Sequence, residues 1–325
     1  MKLSVGMPPT PDVVEHAKLA KSLGYDRIWL YDSAAIYEDI WIALARVAEQ
    51  TDINIGTAVL VPNLRHVMTT ASAIATVDRL APGRLVCSFG TGASARWVLN
   101  KKALAWKYVC TYLEQLRGLL RGDVVTIDGE RCQMIHLPGF TAPRPANVPL
   151  LLSALGPKGT DITREMVQAG TVDGLMNMGA ADGFDWHVQM TAGTVLDDGE
   201  AITDQRVKDA VGPWYVVRYH GVWQAFPQAI GNLPLGSEWI AGIDAERPEG
   251  ERHLAVHEGH VTHVQPRDRA QLGAAGEALR TTGWVGSRAE IKAKAQACGA
   301  SDLLYTPAGP DIAREMRAFA EAVLG

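Results

Sequence analysis

The chain has 325 residues, 47% hydrophobic and 21% charged, which excludes a disordered or fibrous protein and provides for one large barrel or two ordinary domains. Its net charge of −5, without a basic run, argues against a nucleic-acid partner, and apolar runs no longer than a strand argue against a membrane span. Met1 enters a strand-like segment with no leader, and the scattered Cys87, Cys110, Cys132 and Cys298 form no C-x-x-C pair, so a cytoplasmic protein without disulfides is expected.

Strands and helices alternate along the chain. "KLSVGM" reads as a strand, and "TPDVVEHAKLAKSLG" as a helix with Thr10 offered as N-cap and Gly24 past its end. "DRIWLYD", "INIGTAVLV" and "RLVCSFG" are the next strands, with helices "DIWIALARVAEQT" and "VMTTASAIATVDRLAPG" between them. The amphipathic "KYVCTYLEQLRGLLRG" precedes strand five, "VPLLLSA"; helix "TDITREMVQAG" leads to strand six, "VDGLMNM". "GPWYVVRYH" is taken as strand seven and "ASDLLYTPA" as strand eight, closed by "DIAREMRAFAEAVL". Short apolar strands alternating with helices predict an α/β fold, a (β/α)8 TIM barrel with insertions at its C-terminal face. One domain over residues 1–325 is expected, with insertions at about 93–110, 180–212 and 221–283.

Strand four ends in Gly90–Thr91–Gly92–Ala93–Ser94–Ala95, which has the G-x-G-x-x-G/A spacing of a dinucleotide-binding turn. It follows the fourth strand rather than the first, and no acidic residue ends a strand about 20 positions later, since Glu114 falls inside a helix. A barrel strand end where a flat ligand approaches backbone is the better reading. Barrel chemistry lies at the C-terminal strand ends, here Asp32 and Ser33, Ala58 and Val59, Gly90 to Gly92, Ser153 to Lys158, Asn177 to Gly179, and His220 at the end of strand seven. Few of these ionise, which suits a broad planar cofactor better than hydrolysis. In "SALGPKGTD", Ser153, Ala154, Leu155, Gly156, Pro157 and Lys158 precede a helix N-terminus and are expected to cradle a phosphate.

"YDRIWLYD", "IGTAVLVPNLRH", "GRLVCSFGTG", "VPLLLSALGPKG", "VDGLMNMG" and "GASDLLYTPAGP" resemble the bacterial-luciferase-like superfamily, including its methylenetetrahydromethanopterin-reductase-like members. The resemblance implies an oxidoreductase, an FMN-dependent monooxygenase or a coenzyme F420-dependent reductase or dehydrogenase, acting on a small, largely apolar substrate. It also implies a homodimer or higher homo-oligomer. Cofactor contacts would come from Ala58, Val59, Gly90, Thr91, Gly92, Ser153 to Lys158, Asn177, Met178 and Gly179. Such proteins often bulge strand three at a non-proline cis peptide, and the matching bond here is Ala58–Val59. Deazaflavin-dependent relatives usually follow the strand-two Asp with His, whereas Ser33 follows Asp32, and Ala93 replaces their acidic residue after G-T-G. A non-redox hydrolase or lyase, or a flavin-binding barrel without catalysis, stays open as the alternative.

Replacement acids or bases are sought in Asp32, His220, and His257 and His260 of "HEGHVTH". H-E-x-x-H fails because Val261 stands where the second His belongs, so no metal site is expected. His66 is expected to cap or pack the third helix. Tyr31, Tyr37 and Trp41, with Trp214, Tyr215 and Tyr219, are offered as pocket walls.

Overall fold

The structure, a computed structural model, describes residues 1–325. Two compact units make up the chain, one of residues 1–92, 103–190 and 299–304, the other of 93–102, 191–298 and 305–325.

The first unit carries the barrel. Its strands are β1 (Lys2–Met7), β2 (Arg27–Leu30), β3 (Asn54–Leu60), β4 (Leu85–Phe89), β7 (Leu150–Ser153), β8 (Gly174–Asn177), β9 (His187–Thr191) and β12 (Asp302–Tyr305). A hairpin of β5 (Val125–Ile127) and β6 (Glu130–Cys132) intervenes. The eight parallel strands close in the order β1-β12-β9-β8-β7-β4-β3-β2. Helices α1 (Val13–Ser22), α2 (Ile40–Gln50), α3 (Val67–Leu80), α5 (Trp106–Arg121) and α6 (Pro157–Gln168) connect them, as parallel neighbours require. Trp29, Val86, Leu151, Met176, Val188 and Leu304, each from a different strand, pack in one buried cluster. Such a layer fills a barrel interior, and each side chain contributes about 1.5–3 kcal/mol by leaving water. Gly56 pairs in register with Trp29, and a side chain there would collide with the indole. Between Thr57 and Leu60 the β3–β4 register shifts, and the peptide bond Ala58–Val59 within that bulge is cis, as the resemblance implied.

The second unit holds α4 (Ala93–Trp97), a parallel pair of β10 (Gly193–Leu196) and β11 (Trp284–Ser287), and six further helices. These are α7 (Gln205–Ala225), α8 (Gly236–Glu246), α9 (Arg252–His257), α10 (Arg269–Ala275), α11 (Arg288–Ala297) and α12 (Ile312–Leu324). Its core gathers Val211, Tyr215, Tyr219, Trp239, Ile243 and Leu279. Glu315 of α12 is buried and accepts from Thr194 Oγ1 at 2.6 Å, Arg206 Nη1 at 2.9 Å and Arg314 Nη1 at 3.0 Å.

Strand seven differs from expectation. "GPWYVVRYH" lies inside the long helix α7, with Pro213 in its interior, and the seventh barrel strand is β9. The segment looked like a strand because Gly-Pro opens a run of β-branched and aromatic residues. Its helical signal begins earlier, since Val207, Val211, Tyr215 and Tyr219 recur every fourth residue and are all buried. β9 (HVQMT) falls within residues 180–212, expected as an insertion; its polar residues hid it from an apolar-run search.

Candidate functional site

At the end of β2, Asp32 is buried, with its carboxylate held by Arg65 Nη1 at 3.0 and 2.8 Å and by the Val61 amide at 3.4 Å. Arg65 Nη2 also reaches Asp39 at 3.0 Å, and Asp39 caps α2 by accepting from the Trp41 and Ile42 amides. One guanidinium thus ties the end of β2, the start of α2 and the chain after β3. Burial is the largest influence on Asp32 and pushes its carboxyl above the ordinary range, while Arg65 draws it back. Sequence reading named Asp32 but missed Arg65, which stands next to the conspicuous His66. His66 caps α3, its Nδ1 accepting from the Met68 amide at 3.2 Å.

Gly90 and Gly92 have packing reasons for lacking a side chain. A Cβ at Gly90 would stand 2.9 Å from Val59 Cγ2, and one at Gly92 would collide with Val61. Gly92 also has φ of 76°, which favours glycine. The two glycines therefore let β4 meet the bulged β3, so enlarging Gly92 would disturb the fold as well as any ligand. Thr91 accepts the Leu104 amide through its carbonyl at 2.8 Å.

At the end of β7, Gly156 is the N-cap of α6 and Pro157 its first residue, with no side chain capping the helix. A Cβ at Gly156 or Gly179 would meet nothing within 4 Å, and Lys158 is exposed. Leu155 and Met178 are 70% and 50% exposed. Asn177 at the end of β8 accepts from the Gly179 amide at 3.2 Å and pairs through Oδ1 with His187 Nε2 at 2.8 Å. The start of α6 thus combines amides without a side-chain cap, an exposed lysine and open glycines.

In the second unit, α7 supplies His220, so this residue does not end a barrel strand. His220, His257 and His260 are buried together, and each offers a ring nitrogen within 4.8 Å of the others. His220 Nδ1 lies 2.8 Å from His260 Nδ1, and His260 Nε2 lies 2.7 Å from Ser94 Oγ. His257 stacks on Trp97 with ring centroids 6.0 Å apart, and His220 on Trp239 at 6.1 Å. Burial above all keeps the three rings neutral, pushing His257 down to about 3, His260 to about 4 and His220 well below the usual histidine value. Tyr215 and Tyr219, expected to wall a pocket from strand seven, are instead core residues of this unit.

A model of the family described as luciferase-like monooxygenase matches residues 3–176. The chain is 30% identical over 164 residues to a 5,10-methylenetetrahydromethanopterin reductase of Methanolobus tindarius, covering 49% of this chain and 48% of that one. It is 28% identical over 166 residues to an F420-dependent glucose-6-phosphate dehydrogenase of Beutenbergia cavernae, covering 46% and 48%. The chain spans about half the length of the curated relatives it matches. The solved coenzyme F420 dependent tetrahydromethanopterin reductase from Methanopyrus kandleri shares the fold, with a TM-score of 0.65 at 14% identity over 99% of this chain and 98% of that one.

Proposed function

Since the chain belongs to the luciferase-like monooxygenase family, we propose that it is an oxidoreductase carrying coenzyme F420 or FMN at the C-terminal strand ends of its barrel. The observation that carries this reading is the uncapped N-terminus of α6, open beside strand ends made of small residues. Ser153 to Lys158 would receive the cofactor phosphate, and Ala58, Val59, Gly90, Thr91 and Gly92 would border the ring. Asn177, Met178 and Gly179 would border it from β8. When bound, the cofactor supplies two-electron redox chemistry.

The chain's own residues bind and orient. Backbone amides of α6 and Lys158 neutralise phosphate charge. Asp32, committed to Arg65, fixes the chain after β3 and acts as a positioning residue. Tyr31 and Tyr37, with ring centroids 6.1 Å apart and partly exposed, support a small, largely apolar substrate. F420 is favoured by the dehydrogenase relative named for it. FMN is the second reading, favoured by Ser33 standing where deazaflavin-dependent relatives place His.

Fluorescence titration of the purified protein with each cofactor separately tests the proposal. Saturable one-to-one binding of F420, with FMN binding absent or far weaker, supports the first reading, and the reverse supports the second. Binding of neither overturns both.

A further inference from the structure

We propose that His220, His257 and His260 form a binding site for a divalent transition metal ion of the zinc class. Three buried imidazoles converge from chain positions up to 40 residues apart, each with a ring nitrogen within 4.8 Å of the others. His220 Nε2 and both ring nitrogens of His257 are buried without a hydrogen-bond partner in the protein. Burying imidazole nitrogens unpaired is costly, and a bound ion would satisfy them.

The geometry suits a small cation. A tetrahedral zinc with bonds of about 2.0–2.1 Å sets its nitrogens about 3.3 Å apart. The His220 and His260 Nδ1 atoms, 2.8 Å apart, are hydrogen-bonded to each other, so the ion replaces that contact, and ring rotations bring three nitrogens that already lie within 4.8 Å of one another to that separation. Ring centroids of the three pairs lie 5.6, 5.1 and 5.5 Å apart, so no one ring is remote from the point the others face.

A supporting shell is present too. Ser94 Oγ, 2.7 Å from His260 Nε2, is placed to accept a hydrogen bond from Nε2–H in the tautomer that binds the ion through Nδ1. Trp97 and Trp239 stack on His257 and His220 and limit their rotation. The imidazoles are neutral, the form that binds metal, and no charged side chain needs to be stripped of water. The H-E-x-x-H spacing fails at Val261, but the third ligand lies outside the "HEGH" segment, on α7. Three protein ligands fill all but one tetrahedral position, and water is the fourth. The ion joins α7 to α9 and the turn after it, and through Ser94 to α4, so its role is to fix the second unit.

The test uses the full chain, freed of metal by a chelator and then titrated with Zn2+ and Co2+. One equivalent of zinc should bind by calorimetry, raise the melting temperature, and be replaceable by cobalt with the intense visible bands of a tetrahedral site. His220→Gln, His257→Gln and His260→Gln should each weaken zinc binding by more than about 100-fold, and Ser94→Ala by about 10–100-fold, the range for supporting partners. His253→Gln and His263→Gln, outside the cluster, should leave it unchanged. If the three ligand variants do not fold, X-ray absorption of the cobalt-loaded wild type decides, with three imidazoles expected. No uptake by the wild type, uptake unaffected by the ligand variants, or a cobalt site with fewer than three imidazoles overturns the proposal.

Discussion

Asp302, at the start of β12, accepts from Ser4 Oγ at 2.5 Å and is almost wholly buried. Burial outweighs that hydrogen bond and nearby Arg27, and raises the carboxyl from 3.8 to about 6. Between these values the folded chain keeps a proton that the unfolded chain has released. The contribution of Asp302 to stability is therefore full below about pH 4, declines as pH rises toward 6, and is level above, by at most about 3 kcal/mol. Asp302→Asn should remove this slope and raise the urea midpoint at pH 8, since the amide oxygen still accepts from Ser4. A slope that survives the substitution would assign it to another group. Lys158→Ala tests the cradle at the same scale. Because Lys158 is exposed, the loss should be only about 1 kcal/mol, or about fivefold in cofactor Kd, and it should shrink as salt is added. Equal affinity of mutant and wild type in low salt would put the phosphate elsewhere. Asp32 and the small strand ends were legible because they sit where any barrel puts its chemistry. Arg65 and Ser94 were not, because each works through a partner distant in sequence, Asp32 in one case and His260 in the other.

Among the elements, α12 is fastened by a charge rather than by apolar packing alone. Glu315 faces Arg206 of α7 and Arg314 of its own helix, and Thr194 of β10 donates to it. Removing one partner of a buried ion pair usually costs 3–5 kcal/mol. Here Arg206 keeps Glu200 and Arg314 keeps Asp197, so Glu315→Gln should cost less, about 2 kcal/mol. Thermal melts followed by circular dichroism measure it, and an unchanged melting temperature would show that the pair is not a fastening. The same region shows where element reading failed. β1 to β4 announce themselves by apolar runs with turn residues at their ends, and α12 by its amphipathic spacing. α7 combines Gly212, Pro213 and β-branched residues, whose local preference is for a strand, and only packing of Val207, Val211, Tyr215 and Tyr219 into one core overrides it. β9, by contrast, has an apolar residue only at every other position, the pattern of a half-covered strand.

At the scale of the molecule, the barrel was readable and the division into two units was not. Each unit is assembled from three stretches of chain, so no composition shift or linker marks a boundary. Residues 3–176, which match the family, end at β8 and therefore contain neither β9 nor β12. A fragment of residues 1–191 would include β9 but still lack β12, leaving β1 and β9 as unpaired edges. We expect it to be recovered largely as aggregates, whereas the full chain stays in solution; light scattering of the two purified under the same conditions compares them. A monodisperse, cooperatively melting fragment would mean that closure by β12 is dispensable.

The place of β12 in the chain also has a consequence for biosynthesis. Ribosomes deliver residues in order, and about 110 of them separate the end of β9 from β12. At about 5–20 residues per second, that interval lasts on the order of 5–20 s. Throughout it the nascent chain holds seven aligned strands with both flanks able to recruit foreign backbone. We expect such a chain to gain from chaperone cover of those flanks during translation, so that depletion of a holdase lowers its yield without altering the stability of the molecules that do mature.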